Sequence, residues 1–153
     1  MSKTIITYGT FDLFHIGHLK LIQKLRGLGD RLIVGVSTDD FNLEKGKKCV
    51  IPYEQRAEIV SNLKQVDLVI PECSWEQKKE DIVKYNADVF AIGSDWRGKF
   101  DYLDSFCEVV YMERTEGVST TEIKNMLSAV DGQRIQELQK ALEVVSLLAR
   151  EFK

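Results

Sequence analysis

The sequence contains few prolines, histidines and cysteines, and it has no long apolar run. Only two prolines, two histidines and three cysteines occur among 153 residues. The cysteines, Cys49, Cys73 and Cys107, are odd in number and widely spaced, which favours free thiols in a reducing compartment over a disulfide framework. No apolar stretch approaches the length of a membrane span, and the N-terminus shows no signal-peptide pattern. We therefore expect a cytoplasmic protein without membrane insertion.

The net charge excludes a further class of partner. Twenty-one basic and 24 acidic residues give a formal charge of −3 at pH 7. Nucleic-acid-binding domains are usually basic, because they neutralise backbone phosphates. We therefore expect no nucleic-acid partner, and any cationic site must be local.

Strand-like and helix-like segments alternate along the chain. Predicted strands occupy residues 4–7, 32–36, 68–70, 89–92 and 109–112, and predicted helices occupy residues 19–28, 52–63, 75–85 and 120–129. This order predicts an α/β fold, a Rossmann-like open parallel sheet with helices on both faces. Ligands of such sheets bind at the carboxyl ends of the strands.

Both histidines lie in the predicted turn between the first strand and the first helix, which reads YGTFDLFHIGH at residues 8–18. His15 and His18 are three residues apart and share one helix face. The N–H groups at a helix start favour an anion, so two imidazoles there suit a phosphate. A zinc pair is possible in principle, but catalytic zinc usually needs three protein ligands. The ligands of any metal therefore stay unknown at this stage.

Three polar segments follow later strands. Lysines 45, 47 and 48 surround Gly46 after the second strand. We interpret this segment as a mobile cationic flap and not as a plain surface loop. The segment at residues 93–101, GSDWRGKFD, follows the fourth strand. RTEGVSTT, at residues 114–121, then leads through a glycine turn into a helix that starts with hydroxyls. Such a start offers a second phosphate cradle, which Arg114 could clamp.

These motifs resemble the cytidylyltransferase branch of the HxGH nucleotidyltransferases. The GTFD and HIGH sequences at residues 9–12 and 15–18 match that branch, and residues 114–121 resemble its RTEGISTT signature. The segment at residues 93–101 resembles the GxDWxGKFD pattern of the glycerol-3-phosphate cytidylyltransferases. The resemblance covers about residues 3–129.

The resemblance implies an enzyme that transfers the cytidylyl group of CTP to sn-glycerol 3-phosphate, giving CDP-glycerol and pyrophosphate for teichoic acid or capsule-type polymers. It also implies Mg²⁺ or another divalent cation as cofactor, and a homodimer. Another acceptor, such as ribitol phosphate or phosphoethanolamine, adenylyl transfer, and a non-catalytic nucleotide-binding scaffold stay open as alternatives.

The resemblance also assigns residues to roles. The implied catalytic residues are His15, His18, Lys45 and Arg114. In the family, an arginine in the context of Arg56 binds phosphate. Asp95 is placed to read the cytosine edge, and Trp96 to wall the base pocket. The full set of implied substrate-binding residues is Gly9, Thr10, Phe11, Asp12, Asp39, Lys47, Arg56, Asp95, Trp96, Thr115, Ser119, Thr120 and Thr121.

The C-terminal residues extend beyond the resemblance. We predict a catalytic domain at residues 1–130, a break at Gly132, and an amphipathic helical extension at residues 131–153. Its apolar residues alternate at spacings of three and four, as in a coiled-coil seam: Ile135, Leu138, Leu142, Val145, Ala149 and Phe152. The extension either folds back on its own domain or pairs with a copy of itself or a partner.

Overall fold

The computed structural model describes residues 2–114 and 119–151. The chain divides into two compact units, residues 1–117 and 118–153. The described part of the first unit contains a parallel sheet with its flanking helices. The described part of the second unit is one long helix.

The sheet has five parallel strands in the order β3-β2-β1-β4-β5. The strands are β1 (Thr4–Gly9), β2 (Arg31–Ser37), β3 (Leu68–Glu72), β4 (Val89–Gly93) and β5 (Glu108–Met112). This confirms the predicted Rossmann-like parallel sheet. The strand order reverses between β1 and β4, and the crevice at such a point is where open α/β sheets bind ligands.

Helices cover both faces of the sheet, as predicted. They are α1 (Ile16–Arg26), α2 (Asp39–Glu44), α3 (Tyr53–Ser61) and α4 (Gln77–Lys84), with 3₁₀ helices at Ser94–Trp96 and Asp101–Ser105. On one face Ile22 of α1 and Val60 of α3 belong to one buried core. On the other face Ile82 of α4 packs with Leu103 in a second core. Two buried faces explain why the strands read as continuous apolar runs.

Several boundaries differ from the sequence prediction, and α1 for example begins at Ile16 instead of residue 19. Helix α2 occupies residues predicted as loop, and the Thr38 hydroxyl caps it by accepting the N–H of Phe41 at 3.2 Å. Strand β3 continues through Pro71, which is tolerated because β3 is an edge strand. Helix α4 begins two residues later than predicted, although the hydroxyl of Ser74 still accepts the N–H of Gln77 at 3.3 Å.

The second unit corrects the prediction of a helix break. Helix α5 runs from Thr120 to Glu151 without interruption, through Gly132. A glycine inside a helix costs only about 1 kcal/mol relative to alanine, which good helix formers on both sides can offset. The predicted cap at Ser119 is present, since its hydroxyl accepts the N–H of Glu122 at 3.1 Å. The division into domains at residue 130 stays a prediction.

The apolar residues of α5 are exposed on the single chain. Leu138 is 61% exposed and Leu142 is 57% exposed. Among the helices of the described ranges, none is long and apolar enough to cross a membrane.

Candidate active site

The turn between β1 and α1 adopts a backbone conformation that is unusual for its residues. Phe11 and Leu13 have φ angles of 53° and 49°, in the left-handed region that residues with a side chain rarely enter. A Cβ atom on Gly9 would lie 2.8 Å from Cε2 of Phe11, so glycine there lets the phenyl ring cover the backbone. Such strain persists only where surrounding contacts fix it, and it concentrates at functional sites.

Asp12 supplies several of those contacts. Its carboxylate is almost fully buried and accepts the N–H groups of Val50 at 2.8 Å, Ile51 at 2.9 Å and Leu13 at 3.1 Å. Asp12 therefore ties the strained turn to the segment that follows the lysines. The substrate contact that the resemblance implies for Asp12 stays a prediction.

His15 and His18 form the cap of α1. Nδ1 of His15 accepts the N–H of Gly17 at 3.0 Å, and Nδ1 of His18 accepts the N–H of His15 at 3.3 Å. This is a capping box built from imidazoles instead of hydroxyl and carboxylate groups. A neutral imidazole that accepts through Nδ1 carries its proton on Nε2. The hydrogen-bond pattern thus assigns an Nε2–H donor to each ring.

Burial favours the neutral form of both histidines. Burial lowers the pKa of His15 below its ordinary value. Burial, and then the neighbouring His15, lower the pKa of His18 to about 4, against an opposing effect of Asp12. The two rings lie on one face, as predicted from their spacing, and they are stacked with centroids 3.9 Å apart. Two fixed neutral donors at a helix start suit the oxygens of a phosphate.

Arg56 lies inside the walls of the site. Its side chain is 1% exposed. The guanidinium donates to the carbonyl oxygens of Thr10 at 2.7 Å, Ser37 at 2.9 Å and Ile51 at 2.8 Å, and to Oδ1 of Asp39 at 2.8 Å. Arg56 therefore joins the carboxyl ends of β1 and β2. The direct phosphate contact that the resemblance implies for Arg56 stays a prediction.

The carboxylate of Asp39 binds two groups in the first turn of α3. Its Oδ2 accepts the N–H of Tyr53 at 3.1 Å, while Oδ1 binds Arg56. The Tyr53 N–H and the Arg56 guanidinium both lower the pKa of the Asp39 carboxyl. In this arrangement Asp39 supports the site, and its implied contact with substrate stays a prediction.

A cavity of about 90 Å³ opens at the carboxyl ends of the strands. It is lined by Tyr8, Gly9, Thr10, Ser37, Lys45, Lys47, Glu72, Trp75, Lys78, Ile92, Trp96 and Phe100. Pockets for drug-sized ligands usually measure roughly 300–1,000 Å³. This cavity therefore suits a small phosphate ester or one part of a nucleotide.

Glu72 organises the cations of this pocket. Its Oε2 accepts from Nζ of Lys78 at 2.6 Å, its Oε1 lies 3.7 Å from Nζ of Lys45, and the Ser37 hydroxyl donates to it. The side chain of Lys45 is 9% exposed, and burial lowers its pKa, against the opposing charge of Glu72. Lys45 thus lies in the pocket wall in this structure, and the mobility predicted for the lysine loop stays a prediction.

Glu72 and Lys78 are pocket residues that the sequence analysis missed. A usable signal was present, because Glu72 is a charged residue at the carboxyl end of a predicted strand. The predicted strand ends at residue 70, because Pro71 cannot donate a hydrogen bond to a neighbouring strand, so the prediction leaves Glu72 outside the strand. Lys78 falls in a predicted helix, where a lysine normally belongs to the solvated face.

The remaining predicted residues do not all lie at the pocket. Trp96 lines the pocket, and Nζ of Lys47 lies 5.9 Å from the centroid of its ring. Arg114 forms an exposed ion pair with Asp95. Thr115 lies outside the described residues. Ser119, Thr120 and Thr121 begin the second unit, and their phosphate contacts stay predictions.

Residues 2–114 and 119–151 contain no group of three histidine, cysteine or carboxylate side chains placed to hold a metal. Mg²⁺ does not need such a cage, because it commonly binds through substrate phosphates, water and one or two carboxylates. The divalent cation that the resemblance implies stays a prediction.

Comparisons with known proteins identify the family of this chain. The cytidylyltransferase-like family model matches residues 6–126. The glycerol-3-phosphate cytidylyltransferase of Bacillus subtilis (strain 168) is 56% identical over 128 residues, covering 84% of this chain and 99% of that protein. The ethanolamine-phosphate cytidylyltransferase of Mus musculus is 36% identical over 121 residues, covering 75% of this chain and 30% of that protein.

A solved structure supports the fold. The lipopolysaccharide core biosynthesis protein of Thermoplasma volcanium superposes with a TM-score of 0.66 at 23% identity, covering 76% of this chain and all of that one. The family model spans most of the first unit, including the histidine turn and the pocket. This chain therefore belongs to the cytidylyltransferase-like family, and it shares more than half of its aligned residues with a glycerol-3-phosphate cytidylyltransferase.

Proposed function

We infer that this protein transfers the cytidylyl group of CTP to sn-glycerol 3-phosphate, producing CDP-glycerol and pyrophosphate. The observation that carries this inference is the pair of Nε2–H donors at the start of α1, together with a pocket at the strand ends that is lined by three lysines. The 56% identity to a glycerol-3-phosphate cytidylyltransferase gives the acceptor.

The chemistry requires positioning and charge stabilisation more than proton transfer. An oxygen of the acceptor phosphate attacks the α-phosphorus of CTP, and the bond from that phosphorus to the oxygen bridging to the β-phosphate breaks. Pyrophosphate leaves with the electron pair. Because the acceptor phosphate is already ionised at neutral pH, no strong general base is needed.

The protein groups have distinct parts in this reaction. His15 and His18 donate to phosphate oxygens whose negative charge grows in the transition state, and fixed donors of this kind need no reorganisation. Lys45 and Lys47 supply positive charge in the pocket. We propose that Arg114 binds the triphosphate, as the resemblance implies, in exchange for its exposed partner Asp95.

A divalent cation, Mg²⁺ in our proposal, accompanies the triphosphate. When bound, it neutralises charge on the phosphates and favours departure of pyrophosphate.

We also propose that the protein is a homodimer in which α5 contributes to self-association. Its seam residues Ile135, Leu138, Leu142 and Val145 recur at spacings of three and four, and they are exposed on the single chain. The cytoplasm is the proposed location, since the three cysteines are free thiols. The proposed product would supply teichoic acid or capsule-type polymer synthesis.

Product identification tests the proposed function. The full chain is incubated with Mg²⁺, with CTP or ATP, and separately with glycerol 3-phosphate, ribitol 5-phosphate or phosphoethanolamine, and the products are identified by mass spectrometry. CDP-glycerol should be the main product. A different main product would identify a different acceptor or nucleotide from the proposed ones. Absence of pyrophosphate release with every pair would favour the non-catalytic scaffold.

A further inference from the structure

Lys78 is a buried cation surrounded by aromatic rings. Its Nζ lies 4.7 Å from the ring centroid of Tyr8, 5.0 Å from Trp75, 5.5 Å from Phe100 and 6.0 Å from Phe41. Its side chain is 1% exposed, although the residue lines the pocket. We call these four rings the aromatic cage.

The cage also contains the counter-charge of Lys78. Oε2 of Glu72 lies 2.6 Å from Nζ, and this carboxylate is 4% exposed. Removing two charges from water is costly, and a buried ion pair often adds little to stability compared with apolar side chains of similar volume. A buried pair on the floor of a substrate pocket therefore calls for a functional explanation.

Cages of aromatic rings recognise ammonium groups of ligands, because the ring faces carry negative electrostatic potential. Here the chain's own ammonium group occupies the cage. Three lysines and one glutamate line the pocket, which leaves a formal excess of two positive charges. This arrangement attracts phosphate and opposes a second cation.

We propose that the Lys78–Glu72 pair determines acceptor specificity: it favours a phosphate ester with an uncharged, hydroxyl-bearing tail and rejects one with an ammonium tail. This inference rests on the proposed function. A glycerol hydroxyl can accept from Nζ of Lys78 and donate to Glu72, so both buried groups keep partners.

The ammonium tail of phosphoethanolamine meets the opposite situation. It has no lone pair to accept from Lys78, and it brings a like charge towards that ammonium beside a carboxylate whose charge is already offset by Lys78 and Lys45. Like charges placed together in a binding site disfavour the wrong partner strongly. The family includes an ethanolamine-phosphate cytidylyltransferase, so phosphoethanolamine is a relevant competitor for this fold.

The test measures kcat/KM for glycerol 3-phosphate and for phosphoethanolamine with CTP. The wild-type protein should prefer glycerol 3-phosphate by about 100-fold or more. Lys78→Met removes the cation but keeps an unbranched side chain, and it should reduce that preference by at least about tenfold. Lys78→Arg keeps the charge and should keep the preference even if total turnover falls. Lys79→Met, at an exposed position of the same helix, is the matched control and should leave both values unchanged.

A double variant, Glu72→Gln with Lys78→Met, protects the test against misfolding because it removes both buried charges together. It should show the same reduced preference. A wild-type preference retained in both Met variants would overturn the proposal while leaving the proposed function intact. The proposal would also be overturned if the wild-type protein bound phosphoethanolamine as tightly as glycerol 3-phosphate in a competition experiment. Failure of the wild-type protein to form CDP-glycerol would instead overturn the proposed function.

Discussion

His15 and His18 bind the same helical turn from opposite directions, each using Nδ1 to accept a backbone N–H. One consequence is structural, because the two bonds cap α1. The other is chemical, because the same two bonds place both ring protons on Nε2. A substitution can therefore keep the helix cap of α1 while removing an Nε2–H donor.

We predict that His15→Asn retains the fold and loses catalysis. Asparagine is a good N-cap residue and can replace the Nδ1 acceptor, but it places no donor at the position of Nε2. Turnover should fall by roughly 10²–10³-fold, as when one oxyanion donor is removed. His15→Ala is the comparison, and it should also lose about 1 kcal/mol of stability.

Steady-state kinetics and thermal unfolding of both variants check this prediction. Near wild-type turnover in His15→Asn would show that the imidazole serves only as a cap. Equal unfolding temperatures for the two variants would show that the cap contributes nothing measurable.

We predict a pH-dependent contribution of His18 to stability. Its pKa is about 4 in the folded protein and about 6.5 in an unfolded chain. Between these values the unfolded chain binds a proton at His18 and the folded protein does not, so a fall in pH through this window favours unfolding. Above about pH 6.5 neither state binds the proton and the contribution no longer changes.

His18→Gln should therefore lose less stability than the wild-type protein when the pH falls from 7 to 4.5. Urea unfolding at a series of pH values measures the difference between the two proteins, which cancels the contribution of the carboxylates. Parallel stability curves would contradict the burial of a neutral His18.

The sequence predicts the sheet and the histidine turn because both are local patterns. β-branched runs alternate with helical spacing, and the histidines are three residues apart. Arg56 is different, because its role depends on Thr10, which is 46 residues away. The partnership of Glu72 with Lys78 likewise depends on where α4 lies against the end of β3. Helix α2, with six residues, is too short to show helical periodicity.

We predict that Arg56→Lys mainly reduces stability. A lysine has one nitrogen and cannot reach the four acceptors that the guanidinium holds. The loss should be roughly 3 kcal/mol, as expected when a buried charged group loses its partners. Arg97→Lys is the control, because Arg97 pairs with Glu113 at the exposed surface, and it should change stability by about 0.5 kcal/mol or less.

Chemical denaturation measures both substitutions, and CTP affinity is measured below the unfolding transition. An Arg56→Lys protein with unchanged stability but weakened CTP binding would instead support the direct phosphate contact that the resemblance implies.

The last prediction concerns α5. Leu138 and Leu142 lie on the seam, and both are more than half exposed on the single chain. The seam spans fewer than three heptads, and so short a coiled coil is weak alone, so we expect it to reinforce the proposed homodimer rather than to form it by itself. We predict that Leu138→Lys with Leu142→Lys weakens self-association by at least about tenfold, because burial of one leucine contributes roughly 1.5–3 kcal/mol.

Gln133→Lys with Gln136→Lys is the matched control, because it adds the same charge to the same helix away from the seam positions. Sedimentation across a dilution series gives the dissociation constants of both variants, and product formation is measured beside it. The seam variant should dissociate at higher concentration than the control, while both form CDP-glycerol at the wild-type rate, because these leucines have no part in phosphate binding. Equal dissociation constants would exclude pairing through this seam, and a loss of product formation in the seam variant alone would assign α5 to the catalytic fold.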